Sequence, residues 1–428
     1  MPAHSFGSVD VAIIGGGISG CSTALWLSRR GLKVAVFERG NVAGEQSSRA
    51  WGFIRQQGRH KAEVPLAAEA TELWEELTRE FGREVTQFTR GGILVPAETA
   101  DDEERVVTGQ EIAASYGIPT RLLSSAQIKD VAPELGGTWR AALYSEQDAH
   151  GEPSSSTLAI AAAAQSAGAT IYEREIVREI RPHPDGSYNI IAQSGSCSAG
   201  SVVLASGIGT AWLARQLGIN LPIQVIKSSV GRTNPVAPFT KLAVWGPKVA
   251  FRPRLDGSFI VGNGYRGVGA DYEITVESFR NLRYFLPAYR NNWRSLRLRV
   301  GKSFFGPLAR TAGSQADPLP EPVANMKKVE HNFAAFQRLF PRLDVKLDKV
   351  WAGRMDLTPD VVPIIDRPDK AKNLYIAAGF SGHGFALGPS VGKQIATWIM
   401  DGAPSKNLEE FRLSRFKEGK AQRSKQAL

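Results

Sequence analysis

Short apolar runs separated by glycine punctuate the N-terminal part of the chain. Val9–Ile14 (VDVAII) is mostly apolar without alternation, the pattern of a parallel strand buried on both faces. Gly15-Gly16-Gly17-Ile18-Ser19-Gly20 follows at once, and Cys21–Arg30 then offers Ala24, Leu25 and Leu27 as the packing positions of a helix. Gly31 closes that helix, and Leu32–Phe37 (LKVAVF) predicts a second strand ending at Glu38. Strand-like runs that end in glycine return later. Val202–Ala205 (VVLA) leads into Ser206-Gly207, and Asn373–Ala378 (NLYIAA) leads into Gly379-Phe380-Ser381-Gly382-His383-Gly384-Phe385 and a helix from about Pro389 to Met400. Between them, Val249–Arg254 and Ser258–Val261 predict a hairpin, because Asp256-Gly257 suits a type I′ turn. Pro253 predicts an edge position for that strand, with Arg252 and Arg254 on one face.

The glycines at loop positions 15, 17 and 20 each have a physical role. Gly15 permits the tight turn, Gly17 lets a pyrophosphate approach the backbone, and Gly20 allows the helix to pack closely on the strand. Ile18 and Ser19 open the helix, whose N-terminal N–H groups and partial positive charge suit phosphate. Glu38 stands 18 residues after Gly20, where a carboxylate accepts bonds from the hydroxyls of an adenosine ribose. Strand, loop, helix, strand and acid in this order predict a dinucleotide site.

The choice of dinucleotide rests on later segments. After the second strand comes a polar loop, Gly44-Glu45-Gln46-Ser47-Ser48-Arg49, where a nicotinamide-binding domain would begin its next helix. The second glycine-rich helix start, around Gly382-His383-Gly384, suits a long cofactor with two separated ends. Reduced flavin is negative near N1 and O2, and helix-end N–H groups stabilise that charge. FAD is the expectation.

Composition narrows the classes. At 428 residues, 43% apolar and 22% charged, the chain reads as a globular protein of two or three domain-sized units. Its two cysteines, Cys21 and Cys197, belong to no metal-ligand or disulfide pattern. Met1 to Asp10 shows no basic, apolar leader pattern, so a cytoplasmic setting is expected, with peripheral contact on the inner membrane as a variant. The net charge of +10 is local: Ser278 to Ala316 holds eight Arg or Lys and no acid, leaving +2 for the rest. With no nucleic-acid module in the sequence, a nucleic-acid partner is not expected.

These motifs resemble the FAD-dependent amino-acid oxidase superfamily, which includes D-amino-acid oxidase, glycine oxidase and sarcosine oxidase, from residue 9 to about 400. Gly40–Arg49 (GNVAGEQSSR) and the general layout look most like the bacterial L-amino acid deaminases. The resemblance implies an α/β fold: a Rossmann-like FAD-binding domain in discontinuous pieces (1–85, 145–215 and 345–428). An α+β substrate domain with a mixed or antiparallel sheet (86–144 and 216–344) accompanies it, with a basic helical insertion over 278–340. It further implies FAD contacts at Arg39, Ser47, Ser48, Arg49, Val177, Ser206, Gly207, Gly353, Arg354, Gly382, His383 and Gly384, beside those of the first glycine loop. Where covalent members carry the flavin-linking cysteine, this chain has Gly353, so noncovalent FAD is expected. The lysine associated with oxygen activation falls near Ile260, which predicts a quinone or respiratory chain rather than oxygen as electron acceptor.

The implied chemistry is hydride transfer from the Cα–N bond of an amino acid to flavin N5, and hydrolysis of the imino acid to a 2-oxo acid. A guanidinium can hold the substrate carboxylate through two parallel bonds. Arg252 is the first candidate, and Arg55, in Trp51–Arg59 (WGFIRQQGR), the second. His383, stripped of neighbours by its flanking glycines, is expected to be accessible and to line the pocket. Three other functions fit the motifs: a secondary-amine dehydrogenase acting on an N-alkyl amino acid, opine or sarcosine-like substrate, an RNA-modifying flavoprotein, and a non-catalytic flavoprotein subunit. Finally, Phe279, Tyr284, Phe285, Tyr289, Trp293, Phe304 and Phe305 are interleaved with Arg280, Arg283, Arg290, Arg294, Arg297, Arg299 and Lys302, which predicts a membrane-surface contact through 278–305.

Overall fold

The computed structural model describes residues 4–267, 269–298 and 320–421. Arg299, Lys302, Phe304 and Phe305 lie outside them.

The first of two large sheets has the spatial order Ile364–Asp366, Leu374–Ala378, Gly195–Leu204, His4–Ile14, Val34–Phe37, Thr170–Tyr172. Neighbours in that order run parallel except the Ile364–Asp366 edge, while Tyr188–Ala192 and Val177–Pro182 join the same sheet through antiparallel pairings. Gly195–Leu204 shows how burial follows pairing. Its first part pairs antiparallel with Tyr188–Ala192 and alternates between buried and more exposed positions. Val202–Leu204 then pairs parallel with Leu374–Ile376 and is continuously buried. A half-covered hairpin thus becomes a strand covered on both faces.

Helices Ile18–Arg29, Val64–Phe81, Pro153–Ser166 and Gly384–Asp401 supply one shared core with that sheet. The last helix approaches the first through glycines. A Cβ at Gly388 would stand 2.4 Å from Ile18, and one at Gly392 2.5 Å from Ser22. Two helix N-termini are thereby held side by side at one end of the sheet. The final helix begins at Gly384, a full turn before the expected Pro389.

The second sheet runs in the order Leu296–Leu298, Asp271–Ile274, Gln224–Thr233, Phe259–Asn263, Val249–Pro253, Ala243–Trp245, Ile93–Ala97, Ala141–Ser145, Arg121–Ser124. It is mixed, with two parallel contacts among antiparallel ones. Leu347–Leu357, expected among the nucleotide-binding pieces, pairs along Gln224–Thr233 in this sheet instead. Gly353 and Arg354 therefore reach the cleft from the substrate side.

Three local expectations need correction. The hairpin Val249–Pro253/Phe259–Asn263 forms, but only Gly257 of the turn has positive φ (+82°), and its N–H bonds Arg254 O. One left-handed residue in a longer loop does the work of a two-residue type I′ turn. Pro253 is not on an edge strand: Ala243–Trp245 flanks that strand, pairing only as far as Phe251, so the proline sits beyond the neighbour's reach. In the basic stretch, Leu282–Asn291 stays helical through Pro287, with Phe285 and Tyr289 buried against Ile226, Tyr272 and Leu357. Those two aromatics are core. Phe279, Leu282, Leu286, Trp293 and Leu298 remain exposed.

Candidate active site

One long cleft runs between the sheets, from Glu38 at one end to Arg55 and His383 at the other. At the first end, Gly15 adopts φ +116° and a Cβ there would stand 2.5 Å from Ala205 O. A Cβ at Gly20 would fall 2.0 Å from Gly15 O, so only glycine lets the helix begin this close to the strand. Ser47 Oγ accepts from Ile18 N (2.9 Å), tying the polar Gln46–Arg49 turn to the helix start. No acid occupies the first turn of Ile18–Arg29 or of Gly384–Asp401, which keeps both N-termini attractive to anionic groups. Glu38 accepts from Gly16 N and Gly40 N, both at 2.7 Å, and burial raises its pKa against those two bonds. Each carboxylate oxygen retains a second lone-pair direction for a ribose hydroxyl.

Midway, Gln46 Nε2 donates to Asp356 Oδ1 (2.8 Å) while Gly379 N donates to Asp356 Oδ2 (2.6 Å). This buried carboxyl joins three remote segments around the cleft. Gly15, Gly17, Ile18, Ser19, Glu38, Arg39, Ser47, Arg49, Val177, Ser206, Gly207, Gly353, Arg354, Gly382, His383 and Gly384 all line it. Gly20 acts from behind as a spacer. Ser48 turns its hydroxyl to Glu45 O and does not line the cleft.

The arginines separate by what they already hold. Arg39 is paired with Glu45, Arg49 with Glu321, and Arg354 with Glu273. Arg252 is 1% exposed and stays out of the cleft. It donates to Trp51 O and to Glu152, which also takes Arg254 at 3.0 Å. Three of its N–H groups are engaged inside the protein and it does not line the cleft, so the carboxylate role expected of Arg252 does not fit its position. Arg55 is different. Its guanidinium lies over the Trp245 ring, 3.8 Å from the centroid, and its buried Nη1 has no hydrogen-bond partner. Arg59 Nη1, in the same cavity, is likewise buried without one. A buried donor on a cation is costly to leave unpaired, so these two atoms imply a ligand that completes them.

Around them sits a cluster that sequence reasoning missed. Glu63, 0% exposed, accepts from His383 Nδ1 at 2.8 Å and lies 3.9 Å from Arg59 Nη1. Burial opposes its charge, but His383 and Arg59 outweigh burial and hold its pKa below the ordinary value. Asp148 accepts from Gln56 N (2.7 Å), and burial pushes its pKa up to about 7 despite that bond and Arg55 and Arg59. Burial also lowers the pKa of Arg55, to about 9 with Arg59 beside it, and lowers that of His383. His383 is less accessible than its flanking glycines predict, with its side chain 12% exposed and locked to Glu63. Only an acid directly before an apolar helix, Glu63-Val64, hinted at this cluster, and surface acids in that place are common.

The fold and this cleft define a two-sheet α/β architecture with a cleft that reaches the ends of two helices, as a dinucleotide site requires. Residues 10–398 match the family described as FAD dependent oxidoreductase, and the chain belongs to that family. The glycine cradles, acid-free helix starts and Glu38 fit FAD. The chain is 24% identical over 433 residues to 4-methylaminobutanoate oxidase (formaldehyde-forming) of Paenarthrobacter nicotinovorans, covering 97% of this chain and 46% of that relative, just under half its length. It is 25% identical over 415 residues to glycine oxidase of Geobacillus kaustophilus (95% and 97% covered). The L-amino acid deaminase of Proteus myxofaciens, solved with anthranilate, superposes with a TM-score of 0.86 at 23% identity, covering 97% of this chain and 94% of that one. The protein is thus an FAD-dependent oxidoreductase. Among the described residues no helix is long and apolar enough to cross a membrane, and no group of side chains could hold a metal ion.

Proposed function

We propose that this enzyme oxidises the Cα–N bond of an amine-bearing carboxylate, an amino acid first and an N-alkyl amino acid second, on noncovalently held FAD. The observation that carries this reading is Arg55, a half-buried cation in the cleft whose buried Nη1 has no hydrogen-bond partner. A carboxylate bound there would complete Arg55, with Arg59 within reach of the same ligand. Trp245 fixes the guanidinium plane, so the substrate enters one orientation rather than many. Bound FAD supplies the hydride acceptor. Relatives named for a glycine and for a methylamino acid support both amine classes.

Anaerobic mixing of the holoenzyme with D- and L-amino acids and their N-alkyl derivatives tests the reading. Bleaching of the flavin by at least one carboxylate amine is expected; bleaching by none removes the proposal. Acid precipitation should release all flavin, since Gly353 offers no thiol. A quinone or dye should reoxidise the reduced enzyme faster than oxygen. The exposed Phe279, Leu282, Leu286 and Trp293, beside Arg280, Arg283 and Arg294, favour docking on an anionic membrane surface. Low-salt co-sedimentation with anionic but not neutral vesicles is the expected result.

A further inference from the structure

Glu63 and His383 form a pair whose arrangement exceeds what a structural tether requires. Glu63 closes the short turn Lys61–Glu63, and His383 is the N-cap of the helix Gly384–Asp401. An ion pair between these elements could be made by any cation. Here the partner is an imidazole, and it lines the cleft beside Arg55 and Arg59. The carboxylate is fully buried, and its Oε2 has no hydrogen-bond partner.

The pairing fixes the tautomer. Glu63 is held ionised, so it accepts, and Nδ1 of His383 must carry the proton it donates across 2.8 Å. Nε2 is then the nitrogen with the free lone pair, and no protein group bonds it among the described residues. Burial lowers the His383 pKa, with Arg59 and Arg55 working in the same direction and Glu63 opposing. Asp148 faces those two arginines and tempers their charge. With the single proton on Nδ1, Nε2 keeps its lone pair, and the buried carboxylate behind the ring is placed to stabilise an imidazolium.

We propose that His383, positioned by Glu63, is the catalytic base that takes the ammonium proton of the bound substrate at Nε2. This rests on the amine-oxidising reading above. An amino acid arrives as a zwitterion, and an ammonium nitrogen has no lone pair to assist loss of hydride from Cα. One N–H bond of the ammonium breaks and its electron pair stays on nitrogen. The proton forms a bond to Nε2, and His383 becomes an imidazolium paired with Glu63. The neutral amine so formed has the lone pair needed to build the C=N bond, and bound FAD would supply the acceptor for the Cα hydride. After hydrolysis of the imine, the imidazolium returns its proton to water.

The test uses the holoenzyme labelled with ¹⁵N-histidine and the α-methyl analogue of whichever amino acid bleaches the flavin. That analogue has no Cα–H, so it binds without reducing the cofactor. The chain has six histidines, and His383→Gln identifies the signal that belongs to His383. At pH 7 the free enzyme should show His383 as the neutral Nδ1–H tautomer, and the complex should show both nitrogens protonated. An imidazole that stays neutral in the complex overturns the proposal. Anaerobic flavin reduction supplies the second readout. His383→Gln and His383→Asn should retain flavin, lose about 100-fold in reduction rate at pH 7, and recover as pH approaches the substrate amine's own pKa. Glu63→Gln should keep the hydrogen bond and lose about 10-fold, since only the charge behind the imidazolium is removed. A pH profile unchanged in either His383 variant would also overturn it. Failure of every amine to reduce the parent enzyme is a separate outcome, and it would remove the functional reading itself.

Discussion

At the Glu38 end of the cleft, much of the recognition comes from backbone within one continuous stretch, Val9 to Arg49. At the Arg55 end it comes from side chains contributed by segments near residues 55, 63, 148, 245 and 383. The first end is built from conformations that only glycine tolerates. The second is built from charged side chains, with Glu63 bonded to His383 from a distant part of the chain and Arg55 and Arg59 each keeping a buried donor without a partner. Disrupting a conformation at the first end should remove the whole holoenzyme, whereas removing a charge at the second should alter one measurable property at a time.

The largest effect is expected at Gly20. Valine there would put its Cβ 2.0 Å from Gly15 O, a contact with backbone that no side-chain rotation relieves. Gly20→Val should yield protein without bound flavin, read as loss of the visible flavin absorbance per chain. Near-normal flavin content would show that the helix start can shift, and would weaken the contrast between the two ends.

Arg252 and Arg55 supply the next comparison, because one is a fully buried arginine with bonded donors and the other a half-buried one whose buried Nη1 has no partner. Arg252→Met leaves Glu152 with Arg254 alone and strips the partner from Trp51 O. Removal of one member of a buried pair costs on the order of 3–5 kcal/mol, so the unfolding midpoint should fall while substrate affinity of the folded enzyme holds. Arg55→Lys should do the reverse. The charge remains, but the planar pair of donors is lost. Substrate binding should weaken by about 100-fold, roughly 2.7 kcal/mol, with little change in stability. Reversal of these two outcomes would restore Arg252 as the carboxylate site.

The same contrast explains what could be read from the chain in advance. Strand, glycine loop, helix, strand and Glu38 are local in sequence, so most residues that line this end of the cleft could be named in advance, Ser48 excepted. The second glycine loop and the Asp256-Gly257 hairpin were legible for the same reason. Arg252 was misjudged because alternation along a strand tells which face a residue shares, not what covers that face. Here the covering is Glu152, remote in sequence. Glu63 and Asp148 went unseen because their burial depends on elements that meet only in the folded chain. His383 was singled out by its glycines, yet their openness hid the carboxylate that locks it.

Asp148 supplies the last comparison, a test of how charge is carried at the substrate end. Its carboxyl is fully buried, and burial raises its pKa from 3.8 to about 7 against the bond from Gln56 and the two arginines. A raised folded-state pKa means the native protein binds this proton more tightly than the unfolded chain does. The associated stability is therefore complete below the unfolded value near 3.8 and is lost as pH rises through about 7. An amide in place of this carboxyl would keep an oxygen for Gln56 N and cannot ionise. Asp148→Asn should melt higher than the parent, by a margin that widens between pH 5 and pH 7 and flattens above, at about 1.4 kcal/mol for each unit of pKa difference expressed. Melting curves of the two holoenzymes across that range supply the measurement. A margin independent of pH would mean that Arg55 and Arg59 keep Asp148 ionised throughout, and that the substrate end holds a second permanent anion beside Glu63.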